Sequence, residues 1–315
     1  MLKKFLLLTA FIIQISAFAQ SWEEFQLSHE ADLGKTYGTH IKTADKNTVV
    51  LIIPGSGPTD RNGNSTIAGE NNSLKYLAED LAKQGISSLR IDKRGVNISD
   101  QSPEIANKMT FEVFIMDAIN WVNYLKKEKG YKNILLLGHS QGSLVSLIAA
   151  KASKDVKGII SVAGSGKSAD ELILRQLELN APKLRNIAVR YFNQMKNGEK
   201  VTDIHPMLAS LFNEKTNNFL ASWIIFNPSD EIQAVKVPIL IIQGSSDLQV
   251  SIENAEQLRA NAMLSPNVQF AVISHMNHVL KLVENEEENL KSYKDPSVPI
   301  APEFMDVLIK WVKNQ

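Results

Sequence analysis

The sequence predicts an α/β fold: a mostly parallel central sheet with helices on both faces and a helical cap insertion. Two observations predict it. From Thr48 onward, short β-branched runs alternate with longer amphipathic ones, and right-handed crossovers turn that rhythm into a parallel sheet covered on both sides. The chain is also large and apolar enough, with 315 residues of which 44% are hydrophobic, to form one large domain carrying an insertion.

The elements follow in order. Thr48 to Ile53 (TVVLII) reads as a buried strand closed by Pro54 and Gly55. Leu74 to Lys83 is a helix with Leu74, Leu77 and Leu81 on one face. Ile86 to Ile91 is a second strand, and a strand or two before Thr48, around Lys35 to Lys42, forms an antiparallel edge. Phe111 to Lys129 is a long helix whose last turn carries Lys126, Lys127 and Lys129 before Gly130, as helix C-termini favour. Strands follow at Asn133 to Leu137, Val156 to Val162, Val237 to Gln243 and Val268 to Ser274, and helices at Gly142 to Ala152, Glu253 to Ala262 and Pro302 to Val312. Between about 167 and 234 the rhythm stops. That stretch is helical and holds Tyr191, Phe192, Phe212, Phe219, Trp223 and Phe226, and it reads as an insertion over the C-terminal edge of the sheet, where such folds bind ligands.

The first nineteen residues are a separate object. Lys3 and Lys4 precede the apolar run Phe5 to Ile13, and Ala17-Phe18-Ala19 supplies small residues for a signal peptidase. The run is too short to span a bilayer, so the expectation is a signal peptide over 1–19, one α/β domain over 20–315, and a periplasmic or secreted product without stable membrane insertion. Basic and acidic residues balance at 34 each, so no positive field points to nucleic acid. Cysteine is absent, which excludes disulfides, thiolate catalysis and lipidation through cysteine.

The chemistry centres on Gly138-His139-Ser140-Gln141-Gly142, a G-x-S-x-G segment at the end of an apolar strand and the start of a helix. A sharp turn there strains the nucleophile, and the glycines admit chain passing too close for a β-carbon. Serine needs a base to take its proton and an acid to orient that base. In such folds the chain order is serine, acid, histidine. Asp247 lies directly after the fifth strand of the central series, whereas Asp230 precedes that strand and belongs at the opposite edge. Two histidines follow the sixth strand: His275 next to its end, and His278 farther into the loop and favoured as the base. Two backbone donors must meet the developing oxyanion. The amide of Gln141 is one, and that of Ser56, between Gly55 and Gly57 in the loop after the first strand, is the other.

The segments PGSGPTDRNGN at Pro54, DKRGVNIS at Asp92, GHSQG at Gly138, VPILIIQGSSDLQV at Val237 and MNHVLK at Met276 resemble the α/β-hydrolase superfamily, and within it bacterial serine aminopeptidase-like and carboxylesterase-type hydrolases. The resemblance implies a Ser140–His278–Asp247 triad, with MNHVLK placing the base at His278, and an oxyanion hole of the Ser56 and Gln141 amides. It implies hydrolysis of small carboxylic esters through an acyl-enzyme, with no cofactor and no metal. Pro54 stands where many relatives have histidine, and Asn97 where a glycine commonly closes the RG-x-G-x-S pattern.

Other readings are weaker. Gly164-Ser165-Gly166-Lys167-Ser168 ends like a phosphate-binding loop, but residue 161 is serine where that motif needs glycine. A peptidase, an aminopeptidase or a thioesterase would use the same triad, and an aminopeptidase should offer acids such as Glu171, Glu178 or Asp203 to a free amine. The polar runs Asn193 to Lys200 and Asn213 to Asn218 in the insertion favour small or soluble substrates over lipids. A non-catalytic ligand-binding protein is the alternative from another class, and oligomeric state is not legible.

Overall fold

The computed structural model describes residues 22–31, 34–97 and 108–315, so the leader expected at 1–19 lies outside the described residues. The strands are β1 (Glu23–Ala31), β2 (Gly34–Lys42), β3 (Thr48–Ile53), β4 (Ser87–Ile91), β5 (Asn133–His139), β6 (Val156–Val162), β7 (Ile239–Gly244) and β8 (Val268–Ile273). The helices are α1 (Ser73–Lys83), α2 (Phe111–Lys127), α3 (Gln141–Ala152), α4 (Ala169–Asn180), α5 (Pro182–Lys196), α6 (Glu214–Trp223), α7 (Pro228–Gln233), α8 (Ile252–Asn261), α9 (Glu286–Ser292) and α10 (Pro302–Val312).

All eight strands join one sheet in the order β1-β2-β4-β3-β5-β6-β7-β8. Pairing is parallel from β4 to β8, and β2 runs antiparallel to both β1 and β4. Alternate residues of a strand face opposite sides, and β3 shows the consequence. Val50 and Ile52 pack with Leu135, Leu137, Ile160 and Ile242 beneath α1 and α10. Val49, Leu51 and Ile53 pack on the other face against Trp121 and Val122 of α2 and Leu144 and Val145 of α3. Both faces are covered, which is why these strands read as continuous apolar runs.

Between β6 and β7 the chain is helical, and it builds a small core of its own. Leu184, Ala188, Tyr191, Phe192, Leu208, Phe212 and Leu220 are buried together there. Phe219, Trp223 and Phe226 turn instead toward Phe111 of α2, with ring centroids 5.5–6.3 Å away.

The differences from expectation have local causes. β7 begins at Ile239 because Pro238 has no N–H to give to a ladder. β5 runs on to His139, so the first two residues of the G-x-S-x-G segment are still strand. Glu23–Ala31 offers only Phe25 and Leu27 in alternation, and Glu286–Ser292 carries no apolar face to announce it. The first is an edge strand registered on β2, and the second is held at its start by the Asn285 side chain, which accepts the Glu288 N–H.

Candidate active site

Ser140 stands between β5 and α3 with φ 54° and ψ −118°, a conformation an L residue keeps only when its surroundings enforce it. They do so by close approach. A β-carbon on Gly138 would lie 2.1 Å from the Gly142 carbonyl oxygen, and one on Gly142 would lie 2.3 Å from that of Ile53. The Ser140 amide donates to Val162 of β6 at 2.8 Å. The hydroxyl-bearing residue is thus lifted over the C-terminal edge of the sheet, at the N-terminus of α3, whose first amides have no acceptor within the helix.

Asp247 and His278 meet beside that edge. The carboxylate is fully buried, and its Oδ2 accepts from His278 Nδ1 at 2.8 Å and from Gln243 Nε2 at 2.9 Å. Its Oδ1 accepts the amides of Gln249 and Val250 at 2.8 and 2.9 Å. Burial pushes the Asp247 carboxyl up, but the His278 imidazole and these amides outweigh it and hold it below the usual carboxylate range. With Nδ1–H committed to Asp247, the His278 lone pair is on Nε2. His275 is exposed, held in the turn through its amide by Ser245 Oγ, and Asp230 is exposed in the first turn of α7. Neither joins this pair.

The neighbouring residue of the pentapeptide does more than pack. His139 is buried, its Nε2 donates to the main-chain carbonyl of His278 at 2.8 Å, and the two rings lie 4.9 Å apart. Burial, reinforced by the nearby His278 ring, lowers its pKa to about 4, so it is neutral near pH 7. The His278 loop is also tied from the other side. Buried Asn277 donates to Asn289 Oδ1 and Ser292 Oγ of α9 and accepts the amides of Val279 and Lys281. Asn289 in turn donates to the Ser246 carbonyl, one residue before Asp247. Helix α9 therefore locks the Asp247 loop to the His278 loop.

The loop after β3 is anchored to the one after β4. Arg61 gives Asp92 its backbone amide and two guanidinium bonds, one of them from Nε at 2.9 Å, and Asn97, at φ 56°, reaches the same carboxylate. Asparagine tolerates the left-handed region where glycine is common. Lys93 is buried, and its Nζ donates to the carbonyls of Gly55 and Gly57.

Ser140, Ser56 and Gln141 open on a cavity of about 780 Å³. Its walls include Phe114 of α2, Leu172 of α4, Leu211, and Phe219, Leu220 and Trp223 of α6. Of the insertion's two polar runs, only Thr216 reaches the cavity. The composition that suggested small or soluble substrates belongs to the outward side, and the inward side is apolar. Lys93, Arg94 and Lys167 also line the cavity, with no acidic side chain among the described residues. Gly164 to Ser168 forms no phosphate cradle: Ser168 caps α4, with its amide and hydroxyl on Glu171.

A family model described as serine aminopeptidase, S33, matches residues 68–286. The chain belongs to this serine aminopeptidase family. Its motifs and eight-stranded sheet place this S33 member in the α/β-hydrolase superfamily. The chain is 25% identical to esterase EstD of Thermotoga maritima, over 93% of this chain and 68% of that one. Its fold matches esterase Pf2001 of Pyrococcus furiosus with a TM-score of 0.62 at 17% identity, over 94% of this chain and 91% of that one. It also matches Est1E of Butyrivibrio proteoclasticus with a TM-score of 0.57 at 16% identity, over 92% and 99%. Among the described residues there is no cluster of metal-ligating side chains, and no helix is long and apolar enough to cross a membrane.

Proposed function

We propose that this S33-family chain hydrolyses carboxylic esters of small molecules through an acyl-enzyme on Ser140, and that it does so outside the cytoplasm after loss of residues 1–19. The mechanism follows from the pairing at His278. Its Nε2 takes the Ser140 proton as Oγ attacks the carbonyl carbon. The oxygen that becomes negative is met by the amides of Ser56 and Gln141. Collapse expels the alcohol, which leaves with the proton from His278. Water then attacks the acyl-serine by the same route, and the acid departs. Asp247 holds the imidazole in the tautomer that serves each step.

The observation that carries esters over aminopeptides is that no acidic side chain lines the cavity among the described residues. A free α-amine is positive at neutral pH and needs an acid to receive it. The cavity shows Lys93, Arg94 and Lys167 and no carboxylate among the described residues. Glu171 caps α4 through Ser168, and Glu178 pairs with Arg175. The Asp203 carbonyl accepts from Tyr191, and its side chain is not part of the wall. An apolar wall of this size favours acyl groups longer than acetyl.

Nitrophenyl esters of increasing acyl length, assayed beside aminoacyl-nitroanilides, test the proposal. Faster ester release, rising from acetyl into medium-length acyl groups, is expected. Faster anilide release would move the chain to the aminopeptidases, and no release from either would leave a binding protein.

A further inference from the structure

Lys93 is a buried amine without an acid beside it. Among the described residues its ammonium has two hydrogen-bond partners, the carbonyl oxygens of Gly55 and Gly57, and it lies 5.6 Å from the centre of the Phe114 ring. Burying a charge against carbonyls and a ring face costs more than pairing it with a carboxylate, and burial lowers this ammonium to about 7. Arg94, the next residue, spends its guanidinium on Asp117 with two bonds of 2.7 Å. The arrangement at Lys93 thus carries an energetic penalty that the fold retains.

The two carbonyls that Lys93 grips flank Ser56. In a trans peptide the C=O and the following N–H lie in one plane and point in opposite directions, and the chain has no cis bond among the described residues. Holding the Gly55 oxygen therefore fixes the direction of the Ser56 N–H, away from Lys93. From the opposite side Gly55 is bounded by the elbow, since a β-carbon there would stand 3.2 Å from both the Ser140 Cβ and the His139 Nδ1. The Ser56 amide itself has no hydrogen-bond partner among the described residues. A donor left open, aimed by its own peptide plane and set beside the nucleophile, is what an oxyanion demands.

We propose that Lys93 is a positioning residue that aims the Ser56 amide at the oxyanion by holding the Gly55 and Gly57 carbonyls. The proposal rests on the esterase reading above. It differs from a purely structural role because the Ser56 amide engages charge that develops only in the transition state. Loss of Lys93 should then lower kcat while leaving KM nearly unmoved.

The test is K93M, K93R and K93Q beside wild type, with kcat and KM on the best nitrophenyl ester, affinity for a trifluoromethyl ketone that forms a tetrahedral oxyanion adduct, and the melting temperature. K93M should lose roughly 10- to 100-fold in kcat with KM within about threefold. Its affinity for the ketone should fall by the same factor as kcat, and K93R should recover part of both. If K93M does not fold, K93Q, which keeps one donor without charge, should show the same pattern to a smaller degree. A kcat within twofold of wild type in the folded neutral variants would overturn the proposal, as would equal loss in KM and kcat with ketone affinity unchanged. A wild-type protein inactive on every ester would instead remove the esterase reading, so the two failures are told apart by the wild-type control.

Discussion

The imidazole of His139 donates through Nε2 to the main-chain carbonyl of His278 at 2.8 Å. The residue immediately before Ser140 thereby holds the backbone of the residue whose side chain pairs with Asp247. The turn that carries Ser140 and the loop that carries His278 are thus joined by one hydrogen bond that spans 139 positions of sequence.

This bond should matter to turnover. His139→Ala leaves a buried carbonyl without its donor and opens space beside the His278 ring. A misplacement of about 1 Å at a catalytic base costs up to about a hundredfold, so kcat should fall roughly 10- to 100-fold with KM little changed. Stability should fall by about 1–3 kcal/mol. Steady-state kinetics and urea unfolding check both, and an unchanged kcat in a folded variant would assign His139 to packing alone.

Acid should weaken the fold through two buried histidines. Burial lowers both His40 and His139 to about 4, and Lys129 and Lys42 press His40 further in that direction. In the unfolded chain both titrate near 6.5. Between those values the unfolded chain binds more protons, so stability is full above about pH 6.5 and falls as pH drops toward 4. At pH 4.5 each histidine should cost about 2–3 kcal/mol relative to pH 7. Asp247, depressed by His278 and two amides against its own burial, adds its loss only below about pH 4. Urea midpoints at pH 7 and pH 4.5 should differ in wild type, and His40→Gln should remove about half of the fall. A midpoint that does not move would show that these rings gain a stabilising partner when protonated.

Much of the fold was legible because the central strands bury both faces and so announce themselves as unbroken apolar runs. The elbow was legible because its two glycines and its strand–helix context sit within five residues. Glu23–Ala31 was not, being a largely exposed edge strand with only Phe25 and Leu27 in alternation, nor was Glu286–Ser292, which is polar and held by side chains. Lys93 and Asn277 escaped notice for one reason. Lys93 finds its carbonyls 38 and 36 positions back, and Asn277 acts through Asn289, whose amide reaches Ser246 across 43 positions. Local pattern carries no trace of such partners. The orientation of the insertion's polar runs was not legible, because composition does not tell which side of a helix faces inward.

Covalent labelling with a fluorophosphonate, read by intact mass and peptide mapping, tests most directly whether Ser140 is the nucleophile. One adduct per chain is expected on the peptide bearing Ser140, absent in Ser140→Ala. Labelling should slow by several orders of magnitude in His278→Ala and by roughly 10³- to 10⁴-fold in Asp247→Asn, while His275→Ala and Asp230→Asn label like wild type. An adduct on any other serine, or one that persists in Ser140→Ala, would contradict the account.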